Sequence, residues 1–180
     1  MSGRISPTPL VALVLALALS LPGALAGFAN DYDGAFTFTC PAREAISGVY
    51  SEHSNWHEDR RFRFTCSPGP NNAISETCQW TNWVNQFERI VKYICPANWA
   101  ITGVDSYHSR INEDRRFRFR CCQISDYRVS GCSMSPFLNQ LDGVMDYSVP
   151  QDQVLVGWFS YTDSNYEDRR HKMMSCPLRQ

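Results

Sequence analysis

Glu58-Asp59-Arg60-Arg61-Phe62-Arg63-Phe64 recurs unchanged as Glu113-Asp114-Arg115-Arg116-Phe117-Arg118-Phe119, and a shorter form follows as Glu167-Asp168-Arg169-Arg170. The match spreads outward from each copy. Upstream lie Ala45-Ile46-Ser47-Gly48-Val49, Ala100-Ile101-Thr102-Gly103-Val104 and Val154-Leu155-Val156-Gly157-Trp158, at one fixed glycine-to-aspartate interval. Cys40-Pro41-Ala42 and Cys95-Pro96-Ala97 open two segments that close at Cys66 and Cys121 after the same 25 residues. In the third copy Val149 stands in the opening place, and one extra residue precedes Cys176. Further upstream, Phe28-x-Asn30, Trp83-x-Asn85 and Phe137-x-Asn139 share a frame. Self-similarity at this period marks a chain of repeated supersecondary units. The units run over about 28–66, 83–121 and 137–176, with a turn-rich connector from Ser67 to Asn72.

Within a unit, aromatic and β-branched residues alternate at Phe36-x-Phe38, Val91-x-Tyr93, Met145-x-Tyr147, Phe62-x-Phe64 and Phe117-x-Phe119. Period two is the signature of half-buried strands. The shared glycine at 48, 103 and 157 predicts a bulge or a close backbone approach. Trp80 to Lys92 has helix-like stretches, but its counterparts carry Asp33-Gly34 and Asp142-Gly143, so turn plus strand is expected. One such unit cannot bury its apolar face alone, whereas three can share a centre. The expected fold is all-β, a single disulfide-stapled domain of three pseudo-symmetric repeats, trefoil- or prism-like.

Residues 1–26 read as a signal peptide. Arg4 precedes an apolar run from Leu10 to Leu21, then Pro22, Gly23 and the small-residue pattern Ala24-Leu25-Ala26. The run is too short to span a bilayer, so no membrane span is expected, and 27–180 is the secreted domain. Setting Arg4 aside leaves 16 basic and 18 acidic residues, which argues against a nucleic-acid binder. The full chain has 15 Arg but only two Lys, and the Arg fork holds carboxylate or sulfate by paired hydrogen bonds.

Eight cysteines in an oxidising compartment imply four disulfides. The repeat pairs Cys40–Cys66 and Cys95–Cys121 within their units. Cys132–Cys176 then leaves Cys78–Cys122, a bond expected to tie two units together.

Alternation puts Phe62, Phe64, Phe117 and Phe119 on one strand face and Arg61, Arg63, Arg116 and Arg118 on the other, continued by Arg170 and Lys172. That outer row is the candidate surface for anionic glycans. Asp59-Arg60, Asp114-Arg115 and Asp168-Arg169 are expected to form structural ion pairs. Phe28, Trp83 and Phe137 share one column and read as scaffold. Trp56 and Trp99 stand off that column and are candidates for stacking on a sugar. Tyr32, between Asp31 and Asp33, is a candidate for sulfation. His53-x-x-x-His57 beside Glu58 has the spacing of a metal pair, but no metal and no cofactor is expected. No hydrolase, metalloprotease or phosphate-loop motif occurs, so catalysis finds no support.

Trp83-Val84-Asn85, the three Asp-Arg segments that lead to a cysteine and the adjacent Cys121-Cys122 resemble the dermatopontin / hemagglutinin–amebocyte aggregation factor family. The resemblance covers the whole chain after the leader. It implies a non-catalytic extracellular protein: vertebrate members are matrix proteins that bind proteoglycan and assist collagen assembly and cell adhesion, and invertebrate members include agglutinins. Phe62 and Phe117 replace tryptophans of the vertebrate pattern, and the Tyr-rich acidic N-terminus is reduced to Asp31-Tyr32-Asp33. Both departures side with the invertebrate branch. The implied function is a secreted matrix or adhesion protein with proteoglycans, cell-surface glycans and matrix proteins as partners; the alternative is a soluble multivalent lectin.

Overall fold

The computed structural model describes residues 27–180. The leader read in residues 1–26 lies outside the described residues. The described residues form twelve strands: β1 Phe36–Thr39, β2 Glu44–Ser54, β3 Asp59–Pro68, β4 Ile74–Trp80, β5 Val91–Ile94 and β6 Trp99–Ser109, then β7 Asp114–Ile124, β8 Arg128–Val129, β9 Ser133–Met134, β10 Met145–Ser148, β11 Gln153–Asp163 and β12 Asp168–Arg179. A short 3-10 turn, Pro70–Asn72, precedes β4. The stretch between β4 and β5 is turn and coil, as the Asp-Gly counterparts implied.

Each unit contributes one short strand and one long hairpin, and the short strand does not pair with its own hairpin. β1 pairs with β6, β5 with β11 and β10 with β2, all antiparallel. The exchange is cyclic: first unit onto second, second onto third, third onto first. It leaves three separate sheets, β1-β6-β7-β4, β10-β2-β3 and β5-β11-β12-β8, with β9 added against β12. Half-buried short strands thus cover the hairpin of a neighbour, which is how units too small to fold alone acquire a common core.

The glycine column explains itself in the ladders. The register slips between Ile46 and Gly48, Ile101 and Gly103, and Leu155 and Gly157, one bulge per hairpin. At Gly103 a Cβ would stand 2.8 Å from the Phe38 carbonyl oxygen, so the incoming short strand leaves no room for a side chain.

The four disulfides are Cys40–Cys66, Cys95–Cys121, Cys78–Cys122 and Cys132–Cys176. The ladders correct one part of the frame. Ile46 faces Cys66, Ile101 faces Cys121 and Leu155 faces Ser175, whereas Ala100 faces Cys122 and Val154 faces Cys176. Cys176 is therefore the counterpart of Cys122, not a displaced Cys121, and the extra residue disappears. Cys78–Cys122 and Cys132–Cys176 have the same separation of 44 residues. Cys78–Cys122 does not bridge two hairpins, as expected from sequence; it pins the connector strand β4 onto β7 inside one sheet.

The core lies between the hairpins. Phe62, Phe64, Phe117, Phe119, Trp158, His171 and Met173 are buried there, with Phe36, Val91 and Met145 of the short strands. Phe62 meets Phe117 and His171 edge-on, with ring centroids 6.1 and 6.2 Å apart. Columns read along the hairpins show an exchange of volume: Val49, Phe62, Phe64 and Val104, Phe117, Phe119 become Trp158, His171, Met173. A larger residue at the first position is matched by smaller ones at the other two, as close packing requires. The buried Trp158 Nε1–H donates to His171 Nδ1 at 3.0 Å.

Candidate functional site

Each hairpin turn delivers an aspartate to the first residue of the returning strand. The preceding glutamates, Glu58, Glu113 and Glu167, hold positive φ angles of 43°, 40° and 46°. This sharp turn drops Asp59, Asp114 and Asp168 into the interior, where each meets the arginine of another unit. Arg115 Nε and Nη2 donate to Asp59 Oδ1 and Oδ2 at 2.6 and 2.7 Å. Arg169 grips Asp114 at 2.6 and 2.7 Å, and Arg60 grips Asp168 at 2.5 and 2.7 Å. The three forked pairs close a ring, following the same cyclic order as the strand exchange. Each aspartate also accepts a backbone N–H, from Asp33, Glu88 and Asp142. Asn30, Asn85 and Asn139 lock the returning strands: each side chain donates to the Arg60, Arg115 or Arg169 carbonyl and accepts from the N–H two residues on. The ring residues are buried, and each fork ties one unit to the next.

The outer row has a different character. Arg61 lies over the Phe28 ring at 3.9 Å, and Arg63 over Tyr50 at 4.4 Å. In the second unit Arg118 lies 5.1 Å and Arg116 5.8 Å from the Trp83 centroid. In the third, Arg170 and Lys172 lie 4.2 and 4.3 Å from Phe137. Phe28, Trp83 and Phe137, which read as scaffold from their shared column, are partly exposed platforms under the cations. Two of the six cations are neutralised, Arg61 by Glu52 and Arg118 by Asp105. Among the described residues, Arg63, Arg116, Arg170 and Lys172 have no carboxylate partner within ion-pair distance.

A third feature sits at the hairpin tips. Trp56 is 90 % exposed and lines an open hollow with Asp33, His57, Glu58, Arg110 and Glu113. Its column partner Ile111 is 95 % exposed. An indole face flanked by carboxylates and a guanidinium has the apolar plane and the acceptors that a sugar ring and its hydroxyls need.

The chain matches the dermatopontin family model over residues 30–180. It belongs to the dermatopontin family. Similar proteins include the hemagglutinin/amebocyte aggregation factor of Limulus polyphemus, 39 % identical over 83 % of this chain and 87 % of that protein. Dermatopontin of Biomphalaria glabrata is 37 % identical over 78 % of this chain and 93 % of its own length. Millepora cytotoxin-1 of Millepora dichotoma is 32 % identical over 82 % of this chain and 65 % of that protein. No solved structure matches.

In this dermatopontin-family chain the predicted site residues separate into groups. Trp56 stands in solvent, whereas Trp99 is half-buried against the core. Tyr32 stacks on His57 at 4.9 Å and points its hydroxyl at Glu52, 3.4 Å away. Burial, then the Glu52 charge, raises its pKa. His53 and His57 do not converge: His57 faces Asp33, while His53 turns inward to Asp142. Asp33, Asp142 and His108 carry no site signal in the sequence, yet the fold gathers them at the unit junctions. His53 and His108 occupy the same place in their repeats, but their acidic partners lie in other units. The turn glutamates Glu58, Glu113 and Glu167 line one cavity with the ring, and burial first, then the Glu167 charge, raises the Glu58 pKa.

Proposed function

We propose that the chain is a secreted, non-catalytic adhesion protein whose outer cations grip the sulfate and carboxylate groups of proteoglycan chains or other anionic glycans. The observation that carries this is the repeated pairing of un-neutralised cations with aromatic faces. Stacking fixes the guanidinium plane; Arg116 Nε and Nη1 donate to the Asn85 carbonyl and the Tyr107 hydroxyl, and Arg170 Nε to the Asn139 carbonyl, so it is their remaining N–H groups, with those of Arg63, that face an anion. Each hairpin carries one such patch, and linked patches on a polymeric glycan multiply avidity without any new contact. The family and the names of the relatives, an aggregation factor and a dermatopontin, support an extracellular adhesion role. The leader read in residues 1–26 supports secretion.

The test is heparin affinity with a salt gradient. Arg63→Gln, Arg116→Gln, Arg170→Gln and Lys172→Gln combined should elute at clearly lower salt than the native protein. Arg61→Gln, already tied to Glu52, should shift elution little. Equal retention of the fourfold variant rejects the proposal.

The hollow at Trp56 favours a second reading, a multivalent lectin for neutral sugars. Under it, Trp56→Ala abolishes cell agglutination that a free neutral sugar also blocks, with Trp99 as a weaker contributor. Sulfation of Tyr32 would place an anion beside Arg61, which lies 5.2 Å from its ring, and mass spectrometry of the N-terminal peptide tests it.

A further inference from the structure

At two of the three junctions between units a buried imidazole faces two aspartates with its ring nitrogens incompletely satisfied. His108 of the second unit faces Asp33 and Asp59 of the first. Its side chain is 1 % exposed, and neither nitrogen has a hydrogen-bond partner. Asp33 Oδ1, itself buried and unpartnered, stands 3.3 Å from Nδ1 but off the ring N–H axis, so no hydrogen bond closes. That offset suits a metal ion. Two ligands bound at 2.0–2.1 Å in tetrahedral geometry stand about 3.3–3.4 Å apart, and the second lies to the side of the first one's lone pair.

The junction that closes the ring gathers the same residue types, with Nε2 as the open ring nitrogen. His53 of the first unit faces Asp142 and Asp168 of the third. Its side chain is fully buried, with Nδ1 3.5 Å from the unpartnered Asp142 Oδ1. Nδ1 also contacts Asn55 Oδ1 at 3.2 Å, which leaves Nε2 without a hydrogen bond, 4.0 Å from both Asp168 Oδ1 and Glu58 Oε2. A ligating histidine characteristically donates its other ring N–H to such an oxygen. Within each group one ligand atom from every residue lies within 4.8 Å of the others.

Charge points the same way. The first junction sets Asp33, Asp59 and Glu113 against Arg115 and Arg110. The closing junction sets Asp142, Asp168 and Glu58 against Arg60 alone. Both carry excess negative charge, the second more. The remaining junction has Glu88, Asp114 and Thr162 in the same columns, with no imidazole, and serves as an internal control.

We propose that Asp33, Asp59 and His108, and likewise His53, Asp142 and Asp168, are divalent transition-metal sites that take zinc. One imidazole with carboxylates favours zinc over calcium or magnesium. Each ion joins two units, and among the described residues no disulfide joins one unit to another, so both sites staple junctions that the cystines leave open. The inference is independent of the glycan reading.

Chelator-stripped native protein is titrated with Zn²⁺ by calorimetry, desalted and assayed for bound metal and melting temperature. Two ions per chain and a raised Tm are expected. His108→Thr and His53→Thr, which copy Thr162, should each retain one ion, and the double variant none. His53→Thr should lose the tighter ion. A native protein that keeps no zinc after desalting overturns the proposal, as does a double variant that keeps both ions or a calcium stabilisation equal to that of zinc. Should a variant fail to fold, zinc-edge absorption of the native protein decides: a bound ion without imidazole scattering also overturns it.

Discussion

Replacing Trp158 with Val, His171 with Phe and Met173 with Phe would give the third hairpin the inner residues of the first two. Each change alone should be costly. Trp158→Val removes a fully buried ring and strips His171 Nδ1 of its donor, a loss of about 3–5 kcal/mol. His171→Phe leaves the Trp158 indole N–H buried and unpaired, about 1–3 kcal/mol, and overfills the site by about as much again. Met173→Phe overfills too. Additive behaviour would therefore put the triple variant about 6 kcal/mol or more below the native protein. The volume exchange predicts otherwise: the triple variant should lie within about 2 kcal/mol of native, a coupling far beyond the ~0.5 kcal/mol expected of independent sites.

The same variant removes a titrating group. Burial first, then the charges of Arg60 and Arg169, pushes the His171 pKa well below the usual histidine value. Indole donation to Nδ1 agrees with a neutral ring. In the unfolded chain the group titrates near the ordinary ~6.5. Below that pH the unfolded chain takes up a proton that the native state refuses. Stability contributed by the neutral ring is thus complete above about pH 6.5 and falls as pH drops, by up to ~1.4 kcal/mol per unit. Between pH 6.5 and 4.5 that amounts to at most about 2.7 kcal/mol. Guanidinium unfolding of the disulfide-intact proteins at pH 7.5 and 4.5 measures both effects, and the native protein should lose more stability on acidification than the triple variant. An identical acid loss in the two proteins would refute the buried neutral histidine. A triple variant as weak as the sum of its parts would refute the volume exchange.

Arg115→Met leaves Asp59 buried without its fork and should cost about 3–5 kcal/mol, a Tm fall of roughly 10 °C by calorimetry. A fall of only a degree or two would mean that the ring is hydrated. Gly103→Ala meets the Phe38 backbone carbonyl at 2.8 Å and should destabilise by about 1–3 kcal/mol, whereas Gly48→Ala, which meets the Thr65 side-chain hydroxyl, should cost less; equal losses in thermal melts would contradict this. Cys40→Val with Cys66→Ser copies Val149 and Ser175 of the third unit and should lose about 3 kcal/mol of unfolding free energy while keeping the fold, checked by near-ultraviolet dichroism.

Much of this architecture is local and was legible from sequence. Period-two alternation identifies a strand's buried face, which is why Phe62-Arg63-Phe64 could be oriented, and a glycine shared by three bulges announces itself by position. Alternation does not say which hairpin covers a strand. Phe36–Thr39 would satisfy its pattern against β2 or β6, and only the closed set of three sheets selects β6. The partners of the ion pairs follow from that choice. Sequence showed an Asp and an Arg side by side in every unit, yet neighbours along a strand point to opposite faces, so the fork had to come from elsewhere. Phe28, Trp83 and Phe137 read as scaffold from their shared column; a guanidinium stacked on each ring stabilises a partly exposed position instead.

The cyclic exchange also bears on how binding and folding are connected. Arg60 holds the aspartate of the third unit, and the third unit's short strand covers β2 of the first. The patch on each hairpin therefore rests on a strand that is complete only when another unit is in place. Arg63 lies on β3, whose partner β2 is flanked on its other edge by β10. Loss of one unit should accordingly remove all three patches together rather than leave two. Graded truncation of avidity is not expected from this fold: a chain cut after Cys132 keeps the first two patches in sequence but has lost β10 and Asp168, so it should fail to fold and fail to bind.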